Sequence, residues 1–172
     1  MKKNSVQKMV LAALFLALGL MLPFLTGQIQ QFGSMLLPMH LSVILCGFIC
    51  GPFWGLTVGF MTPLLRSLLF GMPPLFPIAI VMAFELMAYG FFARVLYKIL
   101  PKTKNSLYGS LIGAMIGGRL VWGLTAKIFY GMAGMDFTAK IFLAGAFLGA
   151  WPGILLQIVV IPPIVWAIKK RN

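Results

Sequence analysis

Four residues with ionisable side chains lie inside apolar stretches of the sequence: His40, Arg66, Glu85 and Arg119. An ionisable group in the hydrocarbon of a membrane costs at least about 2.5 kcal/mol, so it is rarely present without a partner or a function. One carboxylate, two guanidinium groups and one imidazole can hold a small polar organic molecule by hydrogen bonds. They form no nucleophile–base set, carboxylate pair or thiolate cluster. We therefore predict a ligand-binding site without catalysis, metal or cofactor.

The composition places these residues in a membrane. The chain has 172 residues, of which 61% are hydrophobic and 9% charged, and its mean hydropathy is +1.01. Soluble domains do not have that balance. At roughly 20 apolar residues per spanning helix, the chain has room for about six spans and for no separate extramembrane domain. We expect residues 1–172 to form one all-α membrane domain.

Six apolar stretches are predicted to be the transmembrane helices of a compact bundle: residues 9–25, 36–50, 53–70, 75–97, 107–130 and 141–168. The segment 26–35 between the first two is polar and contains Gln28, Gln30 and Gln31. A segment of this polarity lies outside the hydrocarbon or lines a cavity. It is predicted to form a lid that adds amide groups to the binding site.

The positions of the basic residues set the predicted orientation. Ten of the fourteen lie near the two termini or around the end of the fourth span: Lys2, Lys3, Lys8, Arg94, Lys98, Lys102, Lys104, Lys169, Lys170 and Arg171. Basic loops stay on the cytoplasmic side of a membrane. Both termini are therefore predicted to be cytoplasmic, and the net charge of +12 is explained by topology and not by a nucleic-acid partner.

The depth of each charge follows from the helical rise. Glu85 lies about 15 Å below the outer end of span four, and Arg119 about 16 Å below the outer end of span five. Opposite charges at one depth are predicted to pair or to share a ligand. His40 and Arg66 are predicted to be shallow, about 6 Å from the outer ends of their spans. Apart from Arg94 at the border, the inner halves hold no ionisable group, which predicts a blind pocket open to the outside.

Aromatic and amide side chains add to the predicted site. Tyr89 and Trp122 lie on spans four and five, at levels that match the pocket, and their rings suit a small planar ligand. Packing within the bundle for Tyr89 and an interfacial position for Trp122 remain alternatives. Gln157 in span six is interpreted as a helix–helix hydrogen bond.

Small residues four positions apart mark helix surfaces that allow close approach. Three glycine ladders are predicted to pack within the bundle: Gly51, Gly55, Gly59; Gly109, Gly113, Gly117; and Gly145, Gly149, Gly153. Ala13 and Ala17 form a similar pair on span one. For that pair, packing within the bundle and contact with a partner subunit are both open.

Several of these features together resemble a known family. They are six spans in a chain of this size, the small residues of the first helix, the polar first outer loop and the run LLPMHLSVILCGFICGPFWGLTVGFMTPLLRSLLFGMPPLFPIAIVMAFELMAYG. The chain resembles the substrate-binding S components of energy-coupling factor (ECF) vitamin importers over residues 10–168, most specifically over residues 40–90. The resemblance implies a multi-pass subunit of a prokaryotic cell membrane that captures a water-soluble vitamin from outside.

The resemblance also implies partners and a transport mode. The expected partners are a transmembrane coupling (T) subunit and two cytoplasmic ATPase subunits. In the family, the small-residue face of the first helix contacts the coupling subunit, which here would be Ala13 and Ala17. The loaded S component is expected to topple within the membrane and so carry its pocket to the cytoplasm.

Within the family, the chain is most similar to members assigned to pyridoxine or hydroxymethylpyrimidine. A neutral or weakly basic ring would donate to Glu85 and stack on Tyr89 and Trp122. Pantothenate is the alternative, and its carboxylate would need a cation such as Arg66. The alternative of another class is a stand-alone carrier or channel, which should have a polar path through the inner half or an inverted repeat; the sequence has neither.

Overall fold

The structure is a computed structural model that describes residues 4–26, 36–101 and 104–170. The described residues form helices and turns and no strand. The helices, in chain order, are α1 Ser5–Met21, α2 Pro38–Cys50, α3 Pro52–Phe70, α4 Ile80–Ile99, α5 Lys104–Met132, the short α6 Ala139–Leu143 and α7 Trp151–Lys170. A 3-10 turn, Leu22–Thr26, extends α1, and π-helical turns precede α4 at Leu75–Ala79 and follow α6 at Ala144–Leu148.

Within the described residues, five helical stretches are long and apolar enough to cross a membrane: Ser5–Phe24, Pro52–Phe70, Leu75–Ile99, Asn105–Met132 and Ala139–Ile168. The predicted second span corresponds to α2, an apolar helix of 13 residues. Its length is about 20 Å, which is less than the roughly 30 Å of a bilayer's hydrocarbon core. The all-helical membrane fold is thus confirmed, whereas α2 is shorter than a complete span.

Helix α2 lies at the centre of the bundle. Ten of its thirteen residues are buried, and it packs against α1, α3, α4 and α7. Pro38 starts the helix in its first turn, where a missing N–H is tolerated. Gly51 ends it with a φ of 114°, which glycine adopts without strain. Because Pro52 begins α3 directly, α3 folds back along α2.

Glycines bring the backbones of α2, α3 and α4 into direct contact. A Cβ atom added to Gly90 would collide with the carbonyl group of Gly55, and one added to Gly47 would collide with the carbonyl oxygen of Gly90. A Cβ atom on Gly59 would meet the backbone of α4 one turn further along. Of the predicted ladder on span three, Gly55 and Gly59 pack as expected, while Gly51 has no neighbour within 4 Å of its Cβ position. These contacts fix the distance between α3 and α4.

The last predicted span is interrupted. Sequence patterning predicts one helix over residues 141–168, but α6 ends at Leu143 and α7 begins at Trp151. In the π-helical turn between them, the N–H of Gly149 donates to the carbonyl of Ala144 at 2.8 Å. Pro152 has no N–H to continue a regular helical ladder. The regular helix is therefore interrupted beside the C-terminal half of α5, where Trp122 and Gly123 lie.

The glycine crossing predicts a sharp effect of one added methyl group. Gly90→Ala should lower the free energy of unfolding by at least about 1–3 kcal/mol, because the new Cβ meets backbone that cannot rotate away. The measurement is the thermal unfolding midpoint of the purified protein in detergent. Gly131→Ala is the matched control, since nothing lies within 4 Å of its Cβ position. Equal midpoints for the two variants would contradict the proposed crossing.

Candidate functional site

The site is organised around the carboxylate of Glu85, which projects from the first half of α4 and is only 2% exposed. Nη1 of Arg119, on α5, donates to Oε1 of Glu85 at 2.8 Å. Both side chains are buried, so each charge has lost most of its hydration and is stabilised by the other. The predicted pairing of these two residues is confirmed.

His40 is the third polar group at this carboxylate. Its Nε2 atom lies 3.4 Å from Oε1 of Glu85, and its ring meets the ring of Tyr89 edge to face, with centroids 5.1 Å apart. The prediction that His40 is shallower than Glu85 is therefore wrong. Helix α2 is short and begins at Pro38, so its first turn lies inside the bundle beside Glu85 and not at the outer end of a full span.

Several buried polar atoms of the site have no hydrogen-bond partner within the described part of the chain. They are Nε and Nη2 of Arg119 and both ring nitrogens of His40. Nε and Nη2 form one edge of the guanidinium group, and such an edge donates two parallel hydrogen bonds to a pair of oxygens. Buried donors are normally satisfied. This arrangement can therefore bind a polar molecule that supplies acceptors.

Aromatic rings form a wall next to Arg119. Its Cζ atom lies 5.9 Å from the ring centroid of Trp122. The Trp122 ring is stacked on Phe142 at 5.8 Å and meets Phe137 edge to face at 5.6 Å. Tyr130 also meets Phe137 edge to face, with ring centroids 5.7 Å apart. The segment after α5 thus supplies flat apolar surface to the site, as expected for a pocket that holds an organic ligand.

Arg66 lies in a different environment, near the C-terminal ends of α1 and α3. Its Nη1 donates to the carbonyl of Leu20 at 2.7 Å, and its Cζ atom is 5.0 Å and 5.5 Å from the rings of Phe24 and Phe70. Pro23, three residues after Leu20, has no N–H to offer that carbonyl. Arg66 therefore ties α1 to α3, and its role in ligand binding stays a prediction.

The remaining predicted residues divide into two groups. Gln28, Gln30 and Gln31 lie outside the described residues, so the lid stays a prediction. Ala13 and Ala17 are on the exposed side of α1, whereas the side of α1 that carries Ala12, Phe15 and Gly19 is buried.

Sequence reasoning missed the aromatic contacts of Trp122, and it did not foresee the surroundings of one buried amide, Gln157. Phe137 and Phe142 pack against Trp122, whereas the predicted spans leave Phe137 between spans five and six and give Phe142 no contact with Trp122. Gln157 was interpreted as a helix–helix hydrogen bond, yet it is 1% exposed and its Nε2 has no partner among the described residues. The signal in the sequence is one amide residue, Gln157, within an otherwise apolar helix.

These features define a class: a multi-pass membrane protein of packed helices with a charge-balanced polar site buried between them. A family model described as "ECF transporter, substrate-specific component" matches residues 7–165. The chain therefore belongs to the family of substrate-specific components of ECF transporters. No curated protein and no solved structure matches the chain. Membership implies, in general, a small-molecule substrate and a membrane complex with T and ATPase subunits.

The buried ion pair predicts non-additive stability effects. Arg119→Met leaves the carboxylate of Glu85 buried without its cation, which typically costs about 3–5 kcal/mol. Adding Glu85→Gln removes that charge and should recover a large part of the loss. The measurement is a double-mutant cycle on the free energy of unfolding of the two single variants, the double variant and the original protein. Simple additivity would show that the two side chains do not interact.

Proposed function

We propose that this chain is the substrate-specific component of an ECF-type importer that captures a small water-soluble vitamin outside the cell. It acts in the cytoplasmic membrane of a prokaryote, together with a T subunit and two cytoplasmic ATPase subunits. In this proposal the short helix α2 counts as the second of six crossings, an even number that leaves both termini in the cytoplasm. Delivery occurs when the loaded component topples within the complex. The chain itself catalyses no reaction.

The observation that carries this proposal is the buried set of Glu85, Arg119 and His40. A structural helix bundle would gain nothing from three ionisable groups at its centre, two of which have polar atoms without partners among the described residues. A ligand that exchanges hydrogen bonds with them repays their desolvation. The aromatic wall formed with Trp122 supplies the apolar contact that a small organic molecule needs.

Pyridoxine and hydroxymethylpyrimidine are the proposed substrates. Each is a single heteroaromatic ring with hydroxymethyl substituents, so it can stack on an aromatic side chain and donate to Glu85. The pair formed by Glu85 and Arg119 is neutral overall, which favours a ligand without a strong net charge. Tyr89 lies 5.1 Å from His40, ring to ring, and positions the imidazole next to the carboxylate.

Pantothenate is the second candidate, and one observation favours it. The Nε and Nη2 atoms of Arg119 have no partner among the described residues, and a carboxylate matches that edge of a guanidinium group in both spacing and charge. Arg119 therefore suits this ligand better than Arg66, whose Nη1 is bound to Leu20.

The proposed contact with the T subunit is supported by the exposed face of α1. Ala13 and Ala17 are exposed, and small residues at this spacing allow a second helix to come close in lipid. The opposite face of α1 is already used, since Gly19 packs against Ser42 and Thr62. Helix α1 thus has one face for the bundle and one available for a partner.

Substrate binding should depend on Glu85. We expect the purified protein to bind pyridoxine or hydroxymethylpyrimidine with submicromolar affinity, and Glu85→Gln to raise the Kd by about 10-fold or more, because a charge-assisted hydrogen bond is lost. Isothermal titration calorimetry measures the Kd of the original protein and that of the variant. Asp136→Asn is the control, since Asp136 is the other acidic residue and is exposed. An unchanged Kd in Glu85→Gln removes this residue from the site, and binding of pantothenate alone selects the second candidate.

Assembly should depend on the small side chains of α1. We expect Ala13→Leu or Ala17→Leu to prevent co-purification with the T subunit, because a larger side chain keeps the partner helix at a distance. Ligand affinity should stay within about 2-fold, since neither residue faces the buried site. Ala167→Leu, an equal substitution at an exposed position of α7, is the control. A complex that purifies intact with either α1 variant contradicts this docking face.

A further inference from the structure

His40 is the group of the site whose charge can change most readily. It is the only histidine of the chain and is 2% exposed. Neither of its ring nitrogens has a hydrogen-bond partner in the described part of the chain. Histidine is the side chain that ordinarily gains or loses its charge between about pH 5 and pH 8. The imidazole therefore brings a binding position for one proton into the interior of the bundle.

The imidazole and the guanidinium group meet at the same carboxylate oxygen. Nε2 of His40 lies 3.4 Å from Oε1 of Glu85, and Nη1 of Arg119 lies 2.8 Å from that atom. Buried charges at such distances interact strongly, because little water is left to screen them. A change in the charge of one of these side chains therefore changes the electrostatic energy of the other two.

The titratable groups around His40 come from two other helices. Helix α2 packs against α1, α3, α4 and α7. From α4 come the carboxylate of Glu85 and the ring of Tyr89, which meets the imidazole edge to face, and α5 adds Arg119 on the same carboxylate. Among the described residues, no ionisable side chain of α1, α3 or α7 pairs with His40, and Arg66 of α3 is bound to α1 instead.

The charges of this set balance as long as the ligand is uncharged. With a neutral imidazole, the carboxylate of Glu85 and the guanidinium group of Arg119 sum to zero. A neutral ligand leaves that balance unchanged. A carboxylate bound at the Nε and Nη2 edge of Arg119 adds one buried negative charge, and an uncompensated charge inside a membrane protein is costly.

We infer that His40 takes up one proton when the site binds a carboxylate ligand and stays neutral when the ligand is uncharged. The inference rests on the proposed function and adds to it a rule for the ligand's charge. The proton comes from the solution outside the cell and adds to the unprotonated ring nitrogen, so that both nitrogens become donors. Two cations and two carboxylates then balance again. His40 is thus the residue that determines which ligand charge the site accepts at a given pH.

The test compares ligands that differ by one charge. Pantothenate and its alcohol pantothenol form one pair, and 4-pyridoxate and pyridoxine, which carry a carboxylate and a hydroxymethyl group at the same ring position, form the other. The Kd of the carboxylate member should rise by about 10-fold or more between about pH 6 and pH 8, because its binding requires a proton. The Kd of the uncharged member should stay within about 2-fold over the same range. Isothermal titration calorimetry measures each Kd.

The number of protons taken up is measured independently of affinity. Titrations at about pH 7.5 in buffers of different ionisation enthalpy give this number. It should approach one for the carboxylate member of a pair and stay near zero for the uncharged member.

Variants assign the proton to His40. In His40→Gln and in His40→Asn the two members of a pair should show the same proton uptake, because the titratable ring is absent. Titration of the ligand itself is common to all the proteins and cancels in the comparison with the original protein. Asp136→Asn is the control, since it removes an exposed charge outside the site and should keep the original proton uptake. Unfolding midpoints show which variants are folded, and the proton count of the original protein decides the matter if neither His40 variant folds.

Each other result contradicts the inference. Equal proton uptake for the two members of a pair in the original protein overturns it, and so does uptake that persists without the imidazole. Binding of the uncharged members alone, at every pH tested, overturns it as well. In these cases, binding of an uncharged vitamin that weakens in Glu85→Gln would leave the proposed function intact. Failure to bind either pair overturns the inference, and hydroxymethylpyrimidine then tests the proposed function by itself.

Discussion

A carboxylate cannot stay ionised at the centre of a membrane bundle unless other groups replace its lost hydration. Glu85 is 2% exposed, accepts a hydrogen bond from Arg119 at 2.8 Å, and has Nε2 of His40 beside it at 3.4 Å. The ion pair holds only while α4 and α5 keep their relative positions, and the imidazole stays beside it only while α2 keeps its own. The packing of the helix backbones keeps these three helices in position.

Two features of the backbone maintain those positions. The short helix α2 brings the imidazole of His40 into the interior instead of leaving it at the bundle's end. The contact between Gly55 and Gly90 then sets the spacing of α3 and α4 about one turn beyond the carboxylate. Backbone atoms meet there directly, so little adjustment is available, and the equally close approach of Gly47 to Gly90 keeps Glu85 in place relative to α2.

The sequence was sufficient for the helical membrane fold and for the pairing of Glu85 with Arg119, because hydropathy and helical rise determine both. It was insufficient where helices depart from regular spans. The depth of His40 depends on the shortness of α2, and the aromatic wall at Trp122 depends on where the connection after α5 and the short helix α6 place Phe137 and Phe142. Neither departure has a periodic signal. The open partner of Gln157 is likewise a property of three-dimensional packing, since an amide in an apolar span is compatible with several neighbours.

Helix α1 has only three buried residues among the seventeen of its helical segment: Ala12, Phe15 and Gly19. With so few buried side chains, little apolar contact holds this helix to the bundle against a lateral force. The hydrogen bond from Arg66 to Leu20 anchors its far end, and Gly19 rests on Ser42 and Thr62 below that anchor. A pull applied to the exposed side of α1 would therefore be transmitted to α2 and α3 and would not act on the interior contacts of Glu85 directly.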